Sequence, residues 1–183
     1  MTASFLGGLL RLSRRGDEAA FRRLVESTRE RLFWTVRRMV GRDAVSEEIL
    51  QEGYLALWAL PRGKTPDEPM AWLRRFCVNR AIDHLRREET RRTSDASDVI
   101  ETLPGNADPE SGLRAGEMEE GLREALSVLP PQERAAFVLR FIEELDYRDI
   151  AEAMGVTEST VRNQVMQARR KAEGVLRARG IEP

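Results

Sequence analysis

Apolar residues in this chain recur at spacings of three and four, and almost no segment alternates with a period of two. A repeat near 3.6 puts such positions on one stripe of a helix, whereas a half-buried strand needs strict alternation. The chain is therefore expected to be all-α. Its 8 prolines and 13 glycines fall mainly between the periodic segments, where they end helices. Helices are expected at about 17–40, 45–60, 69–92, 117–129, 131–143, 147–154 and 158–178. A turn-rich loop, Pro61-Arg-Gly-Lys-Thr-Pro-Asp-Glu-Pro69, separates the second from the third. The mildly apolar start, residues 1–10, lacks a basic stretch before it and a cleavage signal, so it is not expected to be a secretory signal.

Charge divides the chain. Thirty Lys and Arg against 31 Asp and Glu give a net charge of −1, which excludes a simple polycation. The charges are nevertheless segregated. Residues 94–120 carry eight acids and only Arg114. Pro104-Gly105 and Asp108-Pro109 break any helix there, so the stretch reads as a solvated, flexible tether. On one side of it, residues 70–93 hold seven Arg against three acids; on the other, residues 156–180 hold six Lys and Arg against two. Two basic helices flanking an acidic tether form an electrostatic footprint for nucleic acid at two separate places. Either helix alone would be an ordinary solvated face. The expected organisation is two small helical domains, 1–93 and 117–183, joined by an acidic linker, 94–116.

Several functions are excluded by composition. One Cys and one His leave no disulfide framework and no metal-ligand spacing, and no cofactor is expected. His84 and Asp83 are adjacent, so on a helix their side chains diverge by about 100°, and no catalytic pair forms. Cys77 falls on an apolar face and reads as a small core residue. No apolar run approaches the ~18 residues that span a membrane. The expected protein is cytoplasmic and not an enzyme.

The clearest local motif lies near the C-terminus. Asp146 is placed to cap a short helix that turns Ile150, Ala151 and Met154 inward, and Gly155 supplies the positive φ that ends it. Val156 plugs the turn and Thr157 caps the next helix. There Val161, Val165, Ala168, Ala172 and Val175 recur four, three, four and three apart, the spacing of a buried stripe. Ser159, Arg162, Asn163, Met166 and Arg170 then face outward. A helix start presenting Arg and Asn in a helix-turn-helix suits base edges in a major groove. A plain helical hairpin is the alternative.

Two other helices carry unusual faces. With Trp72 at zero on a helical wheel, Met70, Leu73, Cys77, Val78, Ala81 and Leu85 form one apolar face. Trp72, Phe76, Asn79, Asp83, Arg86 and Arg87 lie within about 60° of zero, on the opposite face. Aromatics between basic residues suit unstacked bases, because rings stack on bases while guanidinium groups hold phosphates. The competing reading, strongest for Phe76, is that both rings pack on a neighbouring helix. On the preceding helix, Ile49, Gly53, Ala56, Leu57 and Leu60 share one side. Glu48, Gln51, Glu52 and Leu55 share the other, with Trp58 at the flank. An exposed Leu and Trp bordered by acids fit a protein partner better than DNA.

In this order, three segments resemble a known family. They are Glu47-Glu-Ile-Leu-Gln-Glu52 with Leu55-Ala-Leu-Trp58; Ala71 to Arg87; and Leu129-Pro-Pro-Gln-Glu-Arg-Ala-Ala-Phe-Val-Leu-Arg140 with Tyr147-Arg-Asp-Ile-Ala151 and Thr160-Val-Arg162. Together they resemble bacterial RNA polymerase sigma factors of the extracytoplasmic function (ECF) type. The resemblance implies two helical domains on a flexible linker, core polymerase and promoter DNA as partners, and an anti-sigma factor as a further partner. It implies docking on the clamp coiled coil of the largest polymerase subunit through Glu48, Gln51, Glu52, Leu55 and Trp58. It implies capture of a flipped base of the minus-ten element between the 61–69 loop and the long helix. Asn79 would line that pocket with Trp72 and Asp83 beside it, and Arg80, Arg86 and Arg87 near the strand. The acidic linker would thread toward the RNA exit path. The minus-thirty-five element would meet Thr157, Ser159, Thr160, Arg162, Asn163, Met166 and Arg170. Three positions depart from the family pattern: Gln164 and Gln167 stand where Arg is common, and Glu48 where Asp is usual.

The leading expectation is an alternative sigma factor that recruits polymerase to promoters and helps melt DNA. The rival is a helix-turn-helix regulator acting without polymerase docking, which leaves Trp72, Asn79 and the exposed Leu55 without a role.

Overall fold

The computed structural model describes residues 3–94 and 113–181. Eight α-helices are found among them: α1 Ala3–Ser13, α2 Glu18–Val40, α3 Asp43–Ala59, α4 Pro69–Ser94, α5 Leu113–Ser127, α6 Pro131–Phe137, α7 Tyr147–Met154 and α8 Glu158–Ala178. The two predicted caps form: Asp146 accepts from the Asp149 amide at 2.8 Å and Thr157 from Thr160 at 3.2 Å, and Asp17 caps α2 as well, accepting from Ala20 at 3.0 Å. Each supplies an acceptor to an amide that the first helical turn leaves without one.

The N-terminal core gathers around α4, whose buried face is Leu73, Cys77, Val78, Ala81, Ile82 and Leu85. Leu24, Leu32, Val36 and Met39 of α2 and Leu50 and Leu57 of α3 close over it with no more than 1–2% exposure. The Thr28 and Tyr54 hydroxyls share a 2.8 Å hydrogen bond inside this core. Burial pushes the Tyr54 hydroxyl up to about 12, which keeps it protonated.

Three features differ from the sequence expectation. Residues 3–13 form a full helix, with Leu6, Leu9 and Leu10 buried. Arg14, just beyond it, donates to the Trp58 carbonyl at 2.7 Å, satisfying an orphan carbonyl at the end of α3. The fifth helix begins at Leu113, inside the segment read as tether; residues 95–112 lie outside the described residues. The predicted helix 131–143 changes winding, since α6 runs on as a π-helix over Val138–Ile142. The Glu143 amide there reaches back to the Val138 carbonyl at 3.0 Å.

The two helical halves also touch. α6 and α7 pack on α4, and α2 meets the π turn, α5 and α6. The buried apolar side chains of both halves form one continuous cluster.

Gly7 of α1 shows how closely the first helix approaches the 61–69 loop. A Cβ at this position would lie 2.9 Å from the Asp67 carbonyl oxygen, a backbone atom that cannot swing away. A Cβ at the neighbouring Gly8 would meet nothing within 4 Å. The two glycines therefore respond oppositely to Ala. Gly8→Ala is expected to stabilise the chain by about 0.5–1 kcal/mol through helix propensity. Gly7→Ala is expected to destabilise it by about 1–3 kcal/mol through overpacking. Urea unfolding of both variants checks this, and a stabilising Gly7→Ala would show that α1 does not brace the loop.

Candidate nucleic-acid and polymerase interfaces

The outer face of α3 is open. Glu48 and Gln51 are exposed, Leu55 is 61% exposed and Trp58 is 44% exposed. Trp58 meets Phe21 edge-to-face, with centroids 4.8 Å apart, so its ring is anchored on one edge and free on the other. Glu52 is half-buried and pairs with Arg80 of α4 at 3.1 Å. Five sequence-predicted positions thus share one surface, but Glu52 also ties α3 to α4. Leu50 and Tyr54, which the sequence reading left unassigned, fill the inner face.

On α4 the predicted polar face divides. Trp72 and Phe76 stack with centroids 5.6 Å apart and planes 19° apart. Phe76 lies against α3 at Gly53 and beneath the Arg80 guanidinium, so it is a packing residue. Asp83, Arg86 and Arg87 are exposed, with Asp83 and Arg86 4.0 Å apart. Asn79 is half-buried; its amide donates to the Arg75 carbonyl at 2.9 Å and reaches the Ala153 carbonyl of α7 at 3.4 Å. Arg74, unassigned from sequence, is also half-buried here, and burial lowers its pKa from the usual guanidinium value. Cys77 lies on the apolar face, where burial pushes its thiol up to about 12; it is inert near neutral pH.

The helix-turn-helix forms from α7 and α8. Gly155 takes φ of 67°, its amide bonds to the Glu152 carbonyl, and the Val156 amide bonds to the Ala151 carbonyl at 3.0 Å. That pair closes a Schellman turn, which needs the left-handed residue that glycine supplies without strain. Val161, Val165, Ala168 and Ala172 are buried, while Val175, assigned to the same stripe from sequence, is half-buried. Thr157, Ser159, Thr160, Arg162, Asn163, Met166 and Arg170 are all exposed, Met166 at 59%. The Thr157 hydroxyl also lies 2.9 Å from that of Ser159 and 2.8 Å from that of Thr160, a cluster at the start of α8. Arg162 lies over the Tyr147 ring and pairs with Glu158 at 3.1 Å. Gln164 turns away from this face to Gln132 of α6 at 2.6 Å. Lys171 is held by Glu133 at 2.8 Å, which removes it from the set of free cations.

Comparison with known proteins places the chain in a family. Residues 24–101 match the family model Sigma-70 region 2, and residues 119–171 match Sigma-70, region 4. The chain belongs to the sigma-70 family, as a member of ECF type. Region 2 takes in most of α2, all of α3 and α4; region 4 covers α6, α7 and most of α5 and α8. The ECF RNA polymerase sigma factor SigE of Mycolicibacterium smegmatis is 28% identical over 165 residues, which is 88% of this chain and 64% of SigE. SigK of Mycobacterium ulcerans is 28% identical over 177 residues, 94% of either protein. RNA polymerase sigma-H factor of Pseudomonas aeruginosa is 28% identical, over 88% of this chain and 89% of its own. Among solved structures, the sigma factor RpoE in complex with the anti-sigma factor NepR from Bartonella quintana superposes with a TM-score of 0.65 at 19% identity, covering 86% of this chain and 96% of that one. CnrH in complex with the cytosolic domain of CnrY superposes at 0.66 and 21% identity, covering 97% and 99%. The protein is an alternative sigma factor with the ECF fold.

Proposed function

We propose that this sigma factor binds core RNA polymerase through the outer face of α3, opens promoters through α4 and the 61–69 loop, and reads an upstream element through α8. The observation that carries the reading is the coexistence of two different exposed faces in one sigma-70 chain. One is an apolar and acidic face on α3, centred on Leu55 and Trp58. The other is a polar and basic face on α8 with Arg162 and Asn163 near its capped start. The first suits a protein surface and the second suits a groove. The α4 assignments extend it, with Asn79 lining a base pocket, Trp72 and Asp83 beside it, and Arg80, Arg86 and Arg87 along the strand. The rival reading, a regulator that never docks on polymerase, gives the Leu55 face nothing to do. Such a factor works in the cytoplasm and performs no catalysis of its own. The RpoE and CnrH structures, solved with NepR and CnrY, support an anti-sigma partner here as well.

Leu55→Arg tests docking. Leu55 is mostly exposed, so the fold is expected to change by no more than about 0.5 kcal/mol. Co-sedimentation with core polymerase is expected to be lost while helical content stays unchanged. Retained core binding at unaltered affinity would remove α3 from the interface.

The upstream helix separates into two kinds of cation. Arg162 must leave its Glu158 partner to reach a base, but an exposed i,i+4 pair is worth only about 0.3–0.5 kcal/mol. Arg170 is exposed and has no ion pair among the described residues. Arg162→Ala is expected to cost about 1–3 kcal/mol on the matched upstream element and to relax preference there. Arg170→Ala is expected to weaken all sequences alike and to lower the salt slope by about one unit. Salt titrations of the holoenzyme on matched and scrambled upstream DNA check both. Equal losses from the two variants on the two DNAs would mean that α8 contacts only phosphates.

A further inference from the structure

Tyr147 opens α7 in the segment Tyr147-Arg-Asp-Ile-Ala151, and the reading of α7 and α8 given above leaves it without a task. It is half-buried. The Arg162 guanidinium carbon lies over its ring, 4.9 Å from the centroid. The first helix of the helix-turn-helix thus holds a side chain that the second presents. A further cation secures the ring from the π turn. The Arg140 guanidinium carbon is 5.2 Å from the same centroid, and Arg140 is itself tied down, donating to the Leu145 carbonyl at 2.8 Å.

The two contacts of Arg162 differ in kind. Its pair with Glu158, at 3.1 Å, joins side chains that are 62% and 48% exposed, so water and salt weaken it. That carboxylate also takes up N–H donors that a base edge needs. The ring attracts the cation through its quadrupole and has no lone pair to compete for those donors. Arg162 can therefore part from Glu158 and remain over Tyr147. A long arginine side chain loses rotamer freedom when it is ordered at an interface, and one already ordered in the free protein loses less.

We infer that Tyr147 is a positioning residue for Arg162: its ring, steadied by Arg140, holds the guanidinium ready near the start of α8 and so sharpens discrimination between upstream sequences. This rests on the α8 reading given under the proposed function. Tyr147 brings no charge of its own, so it adds to base discrimination without adding to the phosphate attraction that all sequences share.

The test uses the full chain in polymerase holoenzyme. The probes are an upstream duplex selected by the wild-type holoenzyme from a randomised pool and a scrambled duplex of the same composition. Discrimination is the ratio of the two affinities. Tyr147→Leu removes the ring but keeps an apolar side chain. It is expected to lower discrimination about two- to fivefold and to leave affinity for the scrambled duplex unchanged. Tyr147→Phe keeps the ring and is expected to retain discrimination. Replacing Tyr147 by phenylalanines of increasing fluorination weakens the quadrupole at nearly constant shape, and discrimination is expected to fall stepwise. That series decides the question even if Tyr147→Leu fails to fold. In an Arg162→Ala background, Tyr147→Leu is expected to cost nothing more. Equal weakening on both duplexes, a loss from Tyr147→Phe as large as that from Tyr147→Leu, or an added loss in the Arg162→Ala background overturns the inference. A loss from Arg162→Ala with none from Tyr147→Leu or from fluorination overturns it too and leaves the α8 reading standing. No loss from any of these variants overturns both.

Discussion

Helix α4 has to satisfy neighbours on two sides with a single stretch of sequence. Its apolar stripe from Leu73 to Leu85 holds α1, α2 and α3 together, and its opposite side meets α6 and α7. No other helix among the described residues touches both halves so broadly. A helix covered on two sides has little freedom to vary: Phe76 must fit against Gly53, and Arg80 must reach Glu52. Helices α3 and α4 are thereby fixed relative to each other. A partner that grips α3 also positions α4.

The faces assigned to partners differ in how they are held. Along α3 the Leu55 side stands clear of the core, and the Arg14 contact at the end of the helix steadies Trp58 without covering it. Along α8 the outward side chains are tied by exposed contacts, such as Arg162 with Glu158 and Lys171 with Glu133, which solvent weakens. The α4 face meets the other half of the molecule at Asn79, while Arg80, Asp83, Arg86 and Arg87 stay exposed.

Much of this was legible in sequence because it depends on neighbours a few residues apart. The caps at Asp146 and Thr157 and the left-handed Gly155 act within one turn, so their residue types sufficed. The outward set on α8 followed from the inward stripe. What was illegible depends on residues far apart. Glu143 reads as one more surface acid until its partners Thr35 and Arg31, 108 and 112 residues away, are known. Residues 3–13 hold adjacent glycines that weaken helix propensity, and the helix forms because three leucines find a core and Gly7 finds the 61–69 backbone. Gln164, noted in sequence only as standing where Arg is common, has a partner, Gln132, that lies on another helix. The π turn escaped detection because one extra residue shifts the register without changing composition.

The central claim is that the Asn79 face of α4 captures an unpaired base during opening. The direct measurement is open-complex formation by polymerase reconstituted with Asn79→Ala, on a duplex promoter and on the same promoter melted in advance. Melted DNA has already met the unstacking cost of a few kcal/mol. The account predicts a large loss on the duplex and a much smaller loss on the melted template. Equal losses on both would contradict it and place the base pocket elsewhere.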